Sequence, residues 1–96
     1  MQMARPPNGF YIIERPGIHE TLAGAADTCP WVWPAMANLR ERLKIAGHIM
    51  GSAIHHEPTE RVHVDADPDT NRNRLAVTYR VEGDTLTVLS VKVLVL

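Results

Sequence analysis

The chain has 96 residues, 45% of them apolar and 22% charged, and its ten Lys/Arg against eleven Asp/Glu give a formal charge of −1. That composition belongs to a folded protein and excludes a disordered or collagen-like chain. The near-neutral total gives no long-range pull on a polyanion, so a nucleic-acid role would need a local basic patch.

A chain of this length makes one domain and buries only about 60–65% of the surface its unfolded form exposes, leaving a thin core that a partner can complete. Residues 1–9, MQMARPPNG, are polar, aperiodic and carry Pro6-Pro7, which predicts a flexible arm ahead of a domain spanning residues 10–96. The first ten residues lack the basic and apolar regions of a secretion signal, and no apolar run approaches 18 residues. A reducing cytoplasm and no membrane are therefore expected.

Phe10 to Glu14 reads as a short strand, closed by Pro16-Gly17, which opens a helix over Ile18 to Asp27. Ile18, Leu22, Ala25 and Cys29 give that helix its buried side. Cys29 has no second cysteine to pair with, and its apolar neighbours make it a small core residue rather than a catalytic thiol. In Pro30-Trp31-Val32-Trp33-Pro34 each proline disfavours helix at the residue before it, so this is a link whose tryptophans plug the core edge or present a binding surface.

A second helix, Pro34 to Ala46, carries Met36, Leu39, Leu43 and Ala46 at three- and four-residue steps, with Arg40, Glu41, Arg42 and Lys44 off that stripe. Gly47 ends it. Residues 48–54 form a turn or short strand, and His55-His56-Glu57-Pro58 is irregular or an edge. Glu60 to Asp67 alternates as a strand, with Val62, Val64 and Ala66 on one face and Arg61, His63, Asp65 and Asp67 on the other. Residues 67–71 (DPDTN) are a turn by their chemistry.

The terminal stretch, Arg74 to Leu96, is two apolar strands joined at Gly83-Asp84. The first sets Leu75, Val77, Tyr79 and Val81 against Ala76, Thr78, Arg80 and Glu82, the period of a strand with one face on a core. The second has Leu89, Val91, Val93 and Val95 on one face and Leu86, Val88, Leu94 and Leu96 with Ser90 and Lys92 on the other. Apolar residues on both faces predict a central strand or one covered in a dimer. The order strand, helix, helix, three antiparallel strands predicts an α+β fold: two N-terminal helices packed on a three- to four-stranded, mainly antiparallel sheet.

That order, with Arg74-Leu75, Tyr79-Arg80-Val81, the acidic turn Gly83-Asp84 and Leu89-Ser90-Val91, resembles the RelE/ParE superfamily of toxins from bacterial toxin–antitoxin modules. The resemblance spans about two thirds of the chain by element order and about twenty residues by sequence. It implies an antitoxin as partner and, as target, either the ribosome with its messenger RNA (RelE-like) or DNA gyrase (ParE-like). Nucleolytic members use Lys/Arg on the concave sheet face and a further cation and Tyr or His at and beyond the last strand. This chain departs from them there: after Lys92 it ends Val93-Leu94-Val95-Leu96, and its total charge is not basic.

Cleavage of that kind needs a base for the 2′-hydroxyl, cations on the phosphorane and an acid for the leaving oxygen. Arg61, Arg74, Arg80 and Lys92 are the candidate cations and His63 or Tyr79 the candidate proton carriers. Arg61 and His63 lie two apart on one strand, and Arg80 is expected to reach their face from the next. The plainer reading makes all of these the polar side of a half-exposed sheet, since Asp65 and Asp67 on that face would repel phosphate. Whether the chain is an enzyme stays open.

His55, His56, Glu57, His63 and Asp65 fall within eleven positions, but adjacent His55 and His56 point apart on an extended chain and no H-E-x-x-H or C-x-x-C spacing occurs. No metal or cofactor is expected. A third possibility is a non-enzymatic module that self-associates, because a terminal strand ending in four aliphatic residues is an unguarded edge that invites a homodimer or an antitoxin segment.

Overall fold

The computed structural model describes residues 6–54 and 56–95, with residues 57 and 58 described by their backbone alone. Part of the proposed arm (residues 1–5), His55 and Leu96 thus lie outside the described residues. In chain order the elements are β1 (Tyr11–Glu14), α1 (Ile18–Ala26), α2 (Val32–Ala46), β2 (Ser52–Ile54), β3 (Glu57–Ala66), β4 (Arg74–Glu82) and β5 (Thr85–Leu94). They make an α+β layer with the expected helices-then-sheet order.

Among the described residues the sheet has five strands, ordered β1-β5-β4-β3-β2, rather than three or four. It is mixed: β1 runs parallel to β5, pairing Tyr11 with Thr85 through Glu14 with Val88, while every other neighbour is antiparallel. The extra strand is β2, which lies along β3 with a bulge at Ala53/Ile54.

Helix α1 starts after Gly17, whose φ of 96° is one that side chains disfavour, and Thr21 donates both its N–H and its hydroxyl to the Gly17 carbonyl. Helix α2 begins two residues earlier than its sequence suggests. Pro34 sits third in the helix, where the N–H it lacks would have no acceptor within the helix, so the proline belongs to the first turn and does not break it.

Both helices cover one face of the sheet. Ile18 and Leu22 of α1 and Val32, Met36, Leu39 and Leu43 of α2 pack on Leu75, Val77, Tyr79 and Val81 of β4 and on Leu86, Val88 and Val91 of β5, with Phe10, Cys29 and Trp31 closing the ends. Burial of side chains of this kind is worth roughly 1.5–3 kcal/mol apiece. Arg40 of α2 clasps Glu14 of β1 with two bonds, 2.5 and 3.1 Å, fixing the helix over the parallel edge.

The apolar run of β5 is explained by a second bulge. Thr78 pairs with Ser90 but Tyr79 with Val88, so Leu89 is an extra residue. The phase flips there, and Leu86, Val88, Val91 and Val93 all face the helices. The two-faced pattern expected from strict alternation is in fact one apolar face interrupted once.

Strand β5 is also not the sheet edge. It lies between β1 and β4, although beyond Val88 it is paired only with β4 among the described residues. No helix among the described residues is long and apolar enough to cross a membrane.

Candidate functional site

Directly paired residues share a face of a sheet, so the register sorts the candidate residues. Glu60 opposes Arg80, Val62 opposes Thr78, Val64 opposes Ala76 and Ala66 opposes Arg74. The residues between them pair as Arg61 with Tyr79, His63 with Val77 and Asp65 with Leu75. Leu75, Val77 and Tyr79 are core residues under the helices. Arg61, His63 and Asp65 therefore lie on the helix side, and Arg74, Arg80 and Lys92 lie on the opposite, open side, where Lys92 pairs with Ala76. The expectation that Arg80 joins Arg61 and His63 on one face is corrected: Glu60 is its direct partner.

Among the described residues no element packs on the open face. Ala76 and Thr78 of β4 and Thr85, Thr87 and Ser90 of β5 give it small and hydroxyl-bearing positions, interspersed with Arg80, Glu82 and Lys92, which pair with Thr87, Thr85 and Ala76. Its margins are apolar. Tyr11 and Ile13, 69% and 52% exposed, share this face with Thr85 and Thr87 at the β1 edge, and Val64, 51% exposed, lies with Val62 on β3. Sequence reasoning placed Thr78 on the outward face of its strand, as found, but did not single out Tyr11, Ile13, Thr85 or Thr87; a signal for Thr87 was its alternation with Leu86 and Val88.

The cations of this face are largely engaged. Arg80 donates to Glu60 at 2.8 Å and lies 3.9 Å from Glu82, and Arg74 donates to the carbonyls of Asn71 and Asn73 at 2.8 and 3.2 Å. Lys92 is exposed and has no ion-pair partner among the described residues. Tyr79, which sequence reasoning offered as a proton carrier, is fully buried on the other side. Its hydroxyl lies 2.8 Å from the carbonyls of both Gly47 and Met50. Burial raises the phenol above its ordinary value, partly offset by the Arg61 charge and hydrogen bond.

The helix side of β3 holds a second polar group. The helices cover β1, β5 and β4, whereas β3 lies at their margin, so its inward side chains meet polar partners at that edge. Arg61 donates to the carbonyls of Met50 and Gly51 at 2.5 and 3.0 Å. Arg42 of α2 donates to Asp65 at 2.9 Å and to Asn38 at 2.8 Å, and the His63 ring meets the other Asp65 oxygen at 2.9 Å. Asp65, expected to repel phosphate from an open surface, instead ties β3 to α2. Nothing in the sequence spacing pointed to its pairing with Arg42, which is 23 residues away.

Among the described residues no three His, Cys, Asp or Glu side chains converge as metal ligands. Cys29 is buried in the core, as its neighbours implied. Compared with protein-family models, with curated proteins and with solved structures, the chain matches none.

Proposed function

We propose that this chain is the toxin-like component of a bacterial toxin–antitoxin module of the RelE/ParE kind, a cytoplasmic protein held by an antitoxin and directed at DNA gyrase or at the ribosome and its messenger RNA. The observation that carries this reading is the bare sheet face: two helices cover one side, and the hairpin of β4 and β5 that bears the resemblance lies at the centre of the uncovered side. A face of that breadth, with small and charged positions inside apolar margins, suits a macromolecular target.

The geometry favours inhibition by binding over cleavage. A transfer from the 2′-hydroxyl needs base and cations around one phosphate, and here His63 and Arg61 lie across the sheet from Arg74, Arg80 and Lys92. Arg80 is held by Glu60 and Arg74 by turn carbonyls. The gyrase-type reading therefore stands ahead of messenger-RNA cleavage.

A second reading, a non-enzymatic homodimeric module, is favoured by the apolar fringe of Tyr11, Ile13 and Val64 on the same face. Controlled expression in a bacterium, with and without the product of the neighbouring gene, separates the two. Growth arrest relieved by the neighbour supports the toxin. No arrest at good soluble expression, with a dimer in sedimentation, supports the module.

A further inference from the structure

We infer that a second copy of this chain pairs with the unpaired edge of β5, antiparallel and about a two-fold axis at Val93, joining the two sheets into one. This rests on neither reading above, since the edge belongs to neither the bare face nor the helix side, and growth arrest on expression reports on the toxin reading alone.

Strand β1 covers the outer edge of β5 only as far as Val88, whose carbonyl accepts from the Arg15 N–H. Along a strand, side-chain face and backbone direction alternate together. Val88 faces the helices and points its carbonyl toward the β1 side. The bulge at Leu89 restores that phase at Val91 and Val93, which also face the helices. The N–H and C=O groups of Val91 and Val93 therefore point out of the sheet where β1 has ended. Among the described residues no strand pairs there, and neither valine has a backbone bond to a turn or helix.

The outermost strands are guarded by shortness, β1 with four residues and β2 with three and a bulge. The stretch from Ser90 to Val95 has no proline and one charge, Lys92.

Its side chains select both partner and register. A two-fold axis normal to the sheet sets residues of like phase against one another. An axis at Lys92 sets ammonium against ammonium. An axis at Val91 sets Val93 against Leu89, where the bulge breaks the ladder. An axis beyond Val93 leaves the Val91 groups without a partner among the described residues. With the axis at Val93, that residue exchanges backbone bonds with its counterpart, and Val91 does so with Val95 of the second copy. Lys92 then opposes Leu94 of the second copy, its stem along the leucine and its ammonium in water. Leu94 and Val95, 37% and 67% exposed in the single chain, become covered. The stretch thus matches itself at each position, which is why the occupant is a second copy.

The test joins sedimentation equilibrium of the full chain, over a wide concentration range, to disulfide mapping. Lys92 and Leu94 are exposed. Across the axis they form a pair without backbone bonds between them, with Cα atoms about 4.5 Å apart, within reach of a disulfide. Two copies of Lys92, or two of Leu94, stand too far apart for one. The buried Cys29 takes no part. Under mild oxidation, mixed Lys92→Cys and Leu94→Cys chains should cross-link with each other at least about tenfold faster than either does with itself. Val95→Pro removes an N–H that only the second copy uses, and should weaken the dimer by about tenfold or more while the melt of the dilute protein stays that of the parent. A monomer at every concentration, a dimer that Val95→Pro leaves unchanged, or self-cross-linking as fast as mixed cross-linking would overturn the inference.

Discussion

Tyr79 joins three parts of the molecule through one oxygen. Its ring is fully buried on β4, and its hydroxyl reaches the carbonyls of Gly47 and Met50 at the end of α2. Arg61 meets the same Met50 carbonyl from β3. Tyr79→Phe leaves the buried Gly47 carbonyl short of a donor while Arg61 still serves that of Met50, and a loss of about 1–2 kcal/mol in urea unfolding is expected. The pH dependence has a definite sign. The folded phenol ionises later than the ordinary value of 10.0, so its contribution is full below that pH and is lost as pH rises from there through the folded value. The tyrosine's share of the alkaline loss of stability should disappear in Tyr79→Phe. Gly47 is a second such position: a Cβ there would stand 2.3 Å from Leu86 Cδ1 and 2.7 Å from the Leu43 carbonyl. Gly47→Ala should cost about 1–3 kcal/mol in the same measurement, because the added methyl displaces the Leu86 side chain and crowds the backbone carbonyl of Leu43.

Among the elements, β5 carries the most consequential irregularity. Leu89 is the surplus residue of its bulge, so deleting it restores plain alternation with Val88, Val91 and Val93 still facing the helices. Deleting Ala76 from β4 instead turns either Leu75 or Val77 and all beyond it out of the core. The first deletion should fold with a circular-dichroism melt near that of the parent, and the second should not fold. The free end of the strand divides similarly. Val93 faces the helices, while Val95 is 67% exposed. Val93→Glu should lower stability by about 1–3 kcal/mol, whereas Val95→Glu should leave it within about 0.5 kcal/mol and bear only on association.

The legible parts of the sequence were those with unbroken period, the Met36-Leu39-Leu43 stripe and the alternation of Leu75 to Val81. The bulge was not legible, because one inserted residue makes a single apolar face look like two. Nor was the parallel pairing of β1 with β5, which joins Tyr11 to Thr85 across nearly the whole chain with no local signal. The orientation of β3 was misjudged for a related reason. Its helix-side residues are polar because they lie at the margin of the helix layer, and its valines face outward.

At the scale of the molecule, the helices leave one broad face bare among the described residues, and the strand register puts the candidate residues on both sides of the sheet. Residue types had suggested a constellation of Arg61, His63, Arg74, Arg80 and Lys92. Pairing register divides it, because a shift of one residue moves a side chain to the other face. If the proposed toxin role holds, the open face around Ala76, Thr78 and Ser90 is the surface that meets the target. Growth of a bacterium under controlled expression tests this most directly, comparing the wild type with Ala76→Trp, which fills that face without touching the core, at matched soluble levels. The account predicts that the wild type arrests growth, that the neighbouring gene product relieves the arrest, and that Ala76→Trp abolishes it. Unimpeded growth with the wild type, or equal arrest by both proteins, would contradict it.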